Sequence, residues 1–95
     1  MEFGEKIRAL RLTKGITLRK FAIDCEMSAT YVSKIERGQF PPPSAETISK
    51  MASALGLDVD ITALEAEKIP NWIKDVLYSK PEESVNALKG IKNEK

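Results

Sequence analysis

The chain has 95 residues, 42% of them hydrophobic and 31% charged, with a formal net charge of +1. This length fits one small domain plus an appendage, and the apolar content is too high for a disordered chain. A single cysteine, Cys25, and no histidine exclude an internal disulfide framework and a Cys/His zinc site. We find no signal-peptide pattern and no apolar run of ~18–20 residues. We therefore expect a cytoplasmic protein without membrane association, metal or cofactor.

The positive charge is concentrated in the N-terminal part of the chain. Residues 1–57 contain nine Lys/Arg and six Asp/Glu, a net charge of +3, whereas residues 58–95 contain six and eight, a net charge of −2. An excess this small does not by itself support nucleic-acid binding.

Glycines and prolines divide the chain into segments of about ten residues with helical spacing of apolar side chains, and none has the alternation of a strand. The first predicted helix ends at Gly15. Thr17 and Ser28 are good N-caps for the second and third, and Gly38 terminates the third. The apolar residues predicted to face inward in these helices are Phe3, Ile7, Leu10, Leu18, Phe21, Ala22, Cys25, Val32 and Ile35.

Three consecutive prolines at 41–43 then predict an extended connector. Ser44 is predicted to cap a fourth helix that ends at Gly56, and Asp58 to cap a short fifth helix. The inward residues predicted here are Ile48, Met51, Ala52, Leu55, Ile61 and Leu64.

After a linker at 66–69, Pro70 and Pro81 each suit the first position of a further helix. These tail helices carry an apolar stripe too large to be left uncovered. It forms either a dimer interface or a core with the tail folded back onto its own domain. The stripe consists of Trp72, Ile73, Val76, Leu77, Val85 and Leu88.

The second and third predicted helices are separated only by Glu26 and Met27, so they meet at a tight angle and the third protrudes. Its outward face is small or polar with basic residues near its end, as entry into a DNA major groove requires. Two short helices with a tight turn are more often a plain structural hairpin. The outward residues are Ala29, Thr30, Ser33, Lys34 and Arg37.

The segments IRALRLTKGITLRKFA and MSATYVSKIERGQFPPPSAETISKMASALGL resemble the Cro/XRE-type (lambda-repressor-like) helix-turn-helix regulators. The match spans about residues 7–64, and YVSKIERG is its most specific part. The resemblance implies an all-α protein with a compact five-helix DNA-binding domain at 1–66 and a helical C-terminal extension at 67–95. The third helix would enter the major groove of double-stranded DNA.

The resemblance also implies the roles of individual residues. An ion pair between Arg11 and Glu36 would join the first helix to the third. Two alternatives stay open, since Lys34 could be an ordinary solvated lysine and Tyr31 could pack on the fourth helix. Base contacts fall on Ala29, Thr30, Ser33 and Lys34, and phosphate contacts on Thr17, Arg19, Tyr31 and Arg37.

The sequence departs from the family pattern at two places. Glu26 stands where the turn usually has glycine, and a left-handed backbone there would cost about 1 kcal/mol. The second helix starts TLRK without the usual glutamine, so Arg19 or Lys20 could contact phosphate instead.

One such domain reaches only a few base pairs, which favours a homodimer on a pseudo-palindromic operator, with half-sites about one helical turn apart. The simplest function is repression by covering a promoter. The alternative is an antitoxin that autoregulates through the same domain, with a toxin or another regulator as protein partner. An enzyme is not expected, because histidine is absent, Cys25 lies on a core stripe and no pair of carboxylates suggests a cleft.

Overall fold

The computed structural model describes residues 2–94. This part of the chain forms seven α-helices and no strand. The expected all-α fold, five helices followed by a helical extension, is therefore confirmed. The helices are α1 (Phe3–Thr13), α2 (Leu18–Asp24), α3 (Ala29–Glu36), α4 (Ala45–Ala54), α5 (Val59–Glu65), α6 (Asn71–Ser79) and α7 (Pro81–Lys92).

Helices α2 to α5 each begin at the predicted cap. The side chains of Thr17, Ser28, Ser44 and Asp58 accept hydrogen bonds of 3.1, 3.1, 3.3 and 2.9 Å from amides of the first helical turn. Each cap satisfies a backbone N–H that has no partner within the helix and contributes about 1 kcal/mol. These residues set where each helix of the domain starts.

Helices α1 to α5 all end in the same turn, in which one residue takes a left-handed backbone conformation. Glycine occupies that position after α1, α3 and α4, but glutamate does so after α2 and α5. Glu26 has φ 58° and Glu67 has φ 62°. After α2, the next amide, of Met27, donates to the carbonyl of Ala22 at 2.9 Å, as in a Schellman motif. The helix-turn-helix therefore keeps its usual turn at Glu26 despite the missing glycine.

The main core lies between α1, α2, α3 and α4, and a smaller cluster joins α4 to α5. Most residues predicted to face inward do so, but Ile61 and Leu64 are 59% and 47% exposed, so that part of the prediction is wrong. The buried residues of α5 are Thr62 and Ala63. Small side chains let this short helix lie close to α4, and its large apolar residues are left on the outside.

Gly4 allows α1 to pack directly against the end of α3. A Cβ at this position would collide with the carbonyl oxygen of Ile35. That carbonyl also accepts a 3.1 Å hydrogen bond from the amide of Gly38, which restricts its movement. The absence of a side chain at Gly4 thus fixes how closely the first and third helices approach.

Helices α6 and α7 pack against each other as a hairpin, and no residue within either helix is buried. Pro70, one residue before α6, is buried and serves as its N-cap. The indole N–H of Trp72 donates to the carboxylate of Asp60 on α5 at 2.9 Å. The hairpin is therefore tethered to the domain at its start but does not bury its apolar stripe against it.

None of the helices in the described residues has the length and apolar character needed to cross a membrane.

Candidate nucleic-acid interface

Helix α3 has one buried side and one open side. Val32, Ile35 and Glu36 are at most 4% exposed and face α1, α2 and α4. On the other side Thr30 is exposed and Lys34 is partly exposed. This polar, narrow outer side is compatible with entry into a major groove.

The remaining outward residues follow the same pattern. Arg37 is exposed, and its Nε donates to the carbonyl of Ser33 at 3.4 Å. Ser33 is itself partly exposed, whereas Ala29 is half-buried and packs partly against the main core. The structure therefore brings all four candidate base-contacting residues onto one helix, and Ala29 also packs against the core.

A buried ion pair orients α3. The Arg11 guanidinium donates from Nε to Oε2 of Glu36 at 2.8 Å and from Nη2 to Oε1 at 3.0 Å. The hydrogen bond that Arg11 donates to Glu36 raises the pKa of Arg11, against the opposing effect of burial. Nη1 donates to the carbonyl of Ile16 at 2.8 Å, in the segment just before α2. One side chain of α1 thus holds both helices of the helix-turn-helix.

The candidate phosphate-contacting residues lie at the ends of α2 and α3. Arg19 is exposed and makes no ion pair or side-chain hydrogen bond in the described part of the chain. Its neighbour Lys20 instead pairs with Asp24 at 2.7 Å on the same helix. Of the two cations considered at this position, Arg19 is therefore the better placed to contact phosphate. The hydroxyl of Thr17 is exposed but already accepts the amide of Lys20.

Tyr31 and Lys34 meet a residue that the sequence patterns did not single out. The ring of Phe40 lies 5.7 Å from the ring of Tyr31, and the Lys34 ammonium is 5.2 Å from the centroid of the same ring. Tyr31 is half-buried and also packs against the main core. The sequence offered one sign of this role for Phe40. It is an aromatic residue just after the Gly38 turn, in a loop where solvent-facing residues are ordinarily polar.

Cys25 belongs to the core and not to a site. Its side chain is fully buried, and desolvation, followed by the charge of Asp24, raises the pKa of its thiol to about 11. A thiol in this state is a poor nucleophile and metal ligand at neutral pH. Among residues 2–94, no cluster of acidic or cysteine side chains could hold a metal ion.

The fold and the open polar side of α3 define a helix-turn-helix DNA-binding protein. In comparisons with known proteins, the helix-turn-helix domain family matches residues 2–64. The control protein C.BamHI of Bacillus amyloliquefaciens is 41% identical over 56 residues, which cover 58% of this chain and 68% of that protein. The transcriptional regulator ClgR of Mycobacterium tuberculosis is 35% identical over 63 residues, which cover 66% of this chain but 55% of ClgR.

A solved structure resembles almost the whole chain. The crystal structure of the clp gene regulator ClgR from Corynebacterium glutamicum has a TM-score of 0.59 and 26% identity, covering 96% of this chain and 89% of that one. The chain therefore belongs to the helix-turn-helix transcriptional regulators of the Cro/XRE type, which are DNA-binding proteins and not enzymes.

Proposed function

We propose that this protein is a sequence-specific regulator that binds a two-fold symmetric site in double-stranded DNA as a homodimer and represses transcription by covering a promoter. The observation that carries the proposal is the orientation of α3. The ion pair between Arg11 and Glu36 holds its buried side, and its polar outer side is open to solvent. A rigid helix of this kind can present donors and acceptors to base edges.

The proposed base contacts come from the outer side of α3. Thr30, Ser33 and Lys34 supply hydroxyl and ammonium groups for base-edge acceptors, and Ala29 offers only an apolar contact to a thymine methyl. Lys34 is the strongest candidate, because an ammonium can donate to the O6 and N7 acceptors of guanine.

The proposed phosphate contacts flank this helix. Arg19 and Arg37 are exposed cations near the start of α2 and the end of α3. Thr17 and Tyr31 would add hydroxyl groups that contact phosphate oxygens. Contacts of this kind set the position of the protein on the duplex but carry little sequence information.

The proposed dimer uses the hairpin of α6 and α7. One copy of α3 spans too few base pairs for useful specificity, whereas two copies reach two half-sites. The hairpin presents an exposed apolar surface that self-association would cover, with Trp72 57%, Val76 45%, Val85 48% and Leu88 53% exposed. The partly exposed Ile73 and Leu77 belong to the same proposed surface.

The test is selection of binding sites from random duplexes with the full chain. We expect a two-fold symmetric consensus with half-sites about one helical turn apart, and affinity that falls steeply with salt. Thr30→Ala combined with Lys34→Ala should relax the consensus. Arg37→Ala should weaken binding about equally for all sequences. Lys68→Ala, in the linker between α5 and α6 and not among the proposed DNA contacts, serves as the charge-matched control and should leave binding unchanged.

The dimer is tested separately by sedimentation. Val76→Glu with Leu88→Glu should convert a wild-type dimer to a monomer and reduce protection of the symmetric site. The proposal for the DNA interface is overturned if the wild-type protein binds no duplex at low salt. It is also overturned if the Thr30/Lys34 variant selects the same consensus as the wild type. A wild-type monomer that occupies both half-sites overturns the dimer.

A further inference from the structure

We infer that Phe40 is a positioning residue that holds the Lys34 ammonium group in place for one contact on the DNA, an inference that rests on the proposed function. Phe40 lies outside α3 and is not among the residues assigned to contact DNA. Its role would be to determine how sharply Lys34 discriminates between bases.

The turn after α3 brings Phe40 back beside Lys34. Gly38 takes the left-handed conformation, with φ 74°. The amides of Gln39 and Phe40 then both donate to the carbonyl of Lys34, at 2.9 and 3.3 Å. The backbone of the loop is thus bonded to the residue that its aromatic side chain contacts.

The ring of Phe40 offers Lys34 an electrostatic partner. The ammonium lies 5.2 Å from the ring centroid, within the range at which a cation is attracted to the face of an aromatic ring. Lys34 forms no ion pair with an acidic residue in the described part of the chain. A π face, unlike a carboxylate, leaves the positive charge uncompensated and available to DNA.

Phe40 is itself held in place. Its ring lies 5.7 Å from that of Tyr31, tilted by 53°, and three prolines follow it. Pro43, the last of these, is buried, which anchors the loop. Phe40 nevertheless remains 40% exposed, so burial in the core does not account for its presence.

Fixing Lys34 before binding has a specific consequence. A free lysine side chain samples many rotamers, and ordering them at an interface reduces affinity. A free ammonium can also exchange among neighbouring phosphates and base edges. When the ammonium group is held over the Phe40 ring, it can reach only one position on the DNA. The contribution of Lys34 to binding free energy then falls on one base pair.

The experiment compares Phe40→Leu, which keeps an apolar side chain but removes the π face, with Phe40→Tyr, which keeps the ring. Affinities are measured for the selected duplex and for each single base-pair change. We expect Phe40→Leu to lose about two- to five-fold in affinity for the selected duplex and to discriminate less at the base pair affected by Lys34→Met. Phe40→Tyr should behave like the wild type.

A double-mutant cycle separates positioning from other roles. In the Lys34→Met background, Phe40→Leu should have no further effect. An equal loss in both backgrounds would mean that Phe40 contacts DNA itself or supports the fold, and would overturn the inference. In the free protein, the Lys34 Hε protons should show a ring-current shift that disappears in Phe40→Leu, and its absence in the wild type would also overturn it.

The two levels of proposal fail in different ways. If the wild type binds its selected duplex and Phe40→Leu binds with the same affinity and discrimination, the role of Phe40 is wrong and the proposed function stands. If the wild type binds no duplex, the proposed function is wrong, and this inference with it.

Discussion

Arg11 on α1 and Glu36 at the end of α3 form a two-pronged ion pair whose side chains are only 8% and 3% exposed. Removing one partner leaves the other charged and desolvated, which is costlier than losing the attraction itself. We expect Arg11→Ala to lower the free energy of unfolding by about 3–5 kcal/mol. Urea denaturation followed by circular dichroism measures this change.

The control is the exposed pair of Lys20 and Asp24. Lys20→Ala removes an ion pair within one helix and should cost at most about 1 kcal/mol. Replacing both buried partners, in Arg11→Met with Glu36→Leu, should cost less than the sum of the single changes, because no lone charge remains. A loss in Arg11→Ala no greater than in Lys20→Ala would contradict this account.

Gly4 tests the close approach of α1 and α3. Gly4→Ala places a methyl group against the Ile35 carbonyl, which already accepts a hydrogen bond from the Gly38 amide. Overpacking of this kind costs about 1–3 kcal/mol, although alanine favours a helix over glycine. Thermal unfolding should show a lower midpoint than in the wild type.

Gly90 provides the matched helical glycine. A Cβ there meets nothing within 4 Å, so only helix propensity changes, and Gly90→Ala should stabilise α7 by about 0.5–1 kcal/mol. Opposite signs for Gly4→Ala and Gly90→Ala are the expected result. A stabilising Gly4→Ala would show that the two helices can separate at little cost.

Glu26 carries backbone strain within the helix-turn-helix. Because its φ is 58°, Glu26→Gly should increase the free energy of unfolding by about 1 kcal/mol. Glu26→Ala removes the carboxylate, which lies 3.8 Å from the Lys50 ammonium in an exposed setting, but keeps the Cβ. It should change stability by less than about 0.5 kcal/mol. Equal gains in both variants would assign the effect to charge instead of to backbone conformation.

Cys25 should make stability depend on alkaline pH. Its pKa in the folded protein is about 11, above the ordinary value of about 8.5. Below the pKa of Cys25 in the unfolded chain, the thiol is neutral in both the folded and the unfolded protein. Its contribution to the free energy of unfolding is therefore fully present there. As pH rises from about 9 to about 11, the unfolded chain ionises first and stability falls.

Comparison with Cys25→Ala isolates this contribution, since the two proteins differ only at this residue. The wild type should lose more stability than the variant over this pH interval. Parallel profiles from urea titrations at each pH would mean that the thiol of Cys25 ionises as readily in the folded protein as in the unfolded one.

The sequence predicted the domain well where local chemistry determines the structure. Caps such as Thr17 and Ser28 act through their own helix, so their residue type and position are sufficient. The apolar spacing of α1 to α4 likewise identified the main core. Ile61 and Leu64 were misplaced because α5 packs through its small residues Thr62 and Ala63, so the spacing of large apolar side chains pointed to the wrong face.

The features that the sequence did not predict depend on contacts between distant parts of the fold. Gly4 matters only because the carbonyl of Ile35 lies above it. Phe40 gains its role from a turn that returns it to Lys34 and Tyr31. Neither relationship produces a periodic pattern or a motif in the sequence. The pairing of Arg11 with Glu36 was expected, but only through the family resemblance.

Trp72 sets how the tail hairpin is attached to the domain. Its indole N–H donates to Asp60 on α5. In the described part of the chain this is the only side-chain hydrogen bond between the hairpin and the domain. Trp72→Phe keeps an aromatic ring but removes the donor, at a cost of about 0.5–1.5 kcal/mol. We expect faster amide hydrogen exchange in α6 and α7 and unchanged exchange in α1 to α4, measured at one fixed protein concentration.

Asp60→Asn separates this bond from the charge at the start of α5. The amide oxygen of asparagine can still accept from the indole, so exchange in α6 should stay near the wild-type rate, and only α5 should lose some of the favourable effect of an acid in its first turn. If Trp72→Phe leaves α6 as protected as before, the hairpin is held by its apolar contacts alone. Its orientation relative to α3 would then not depend on Asp60.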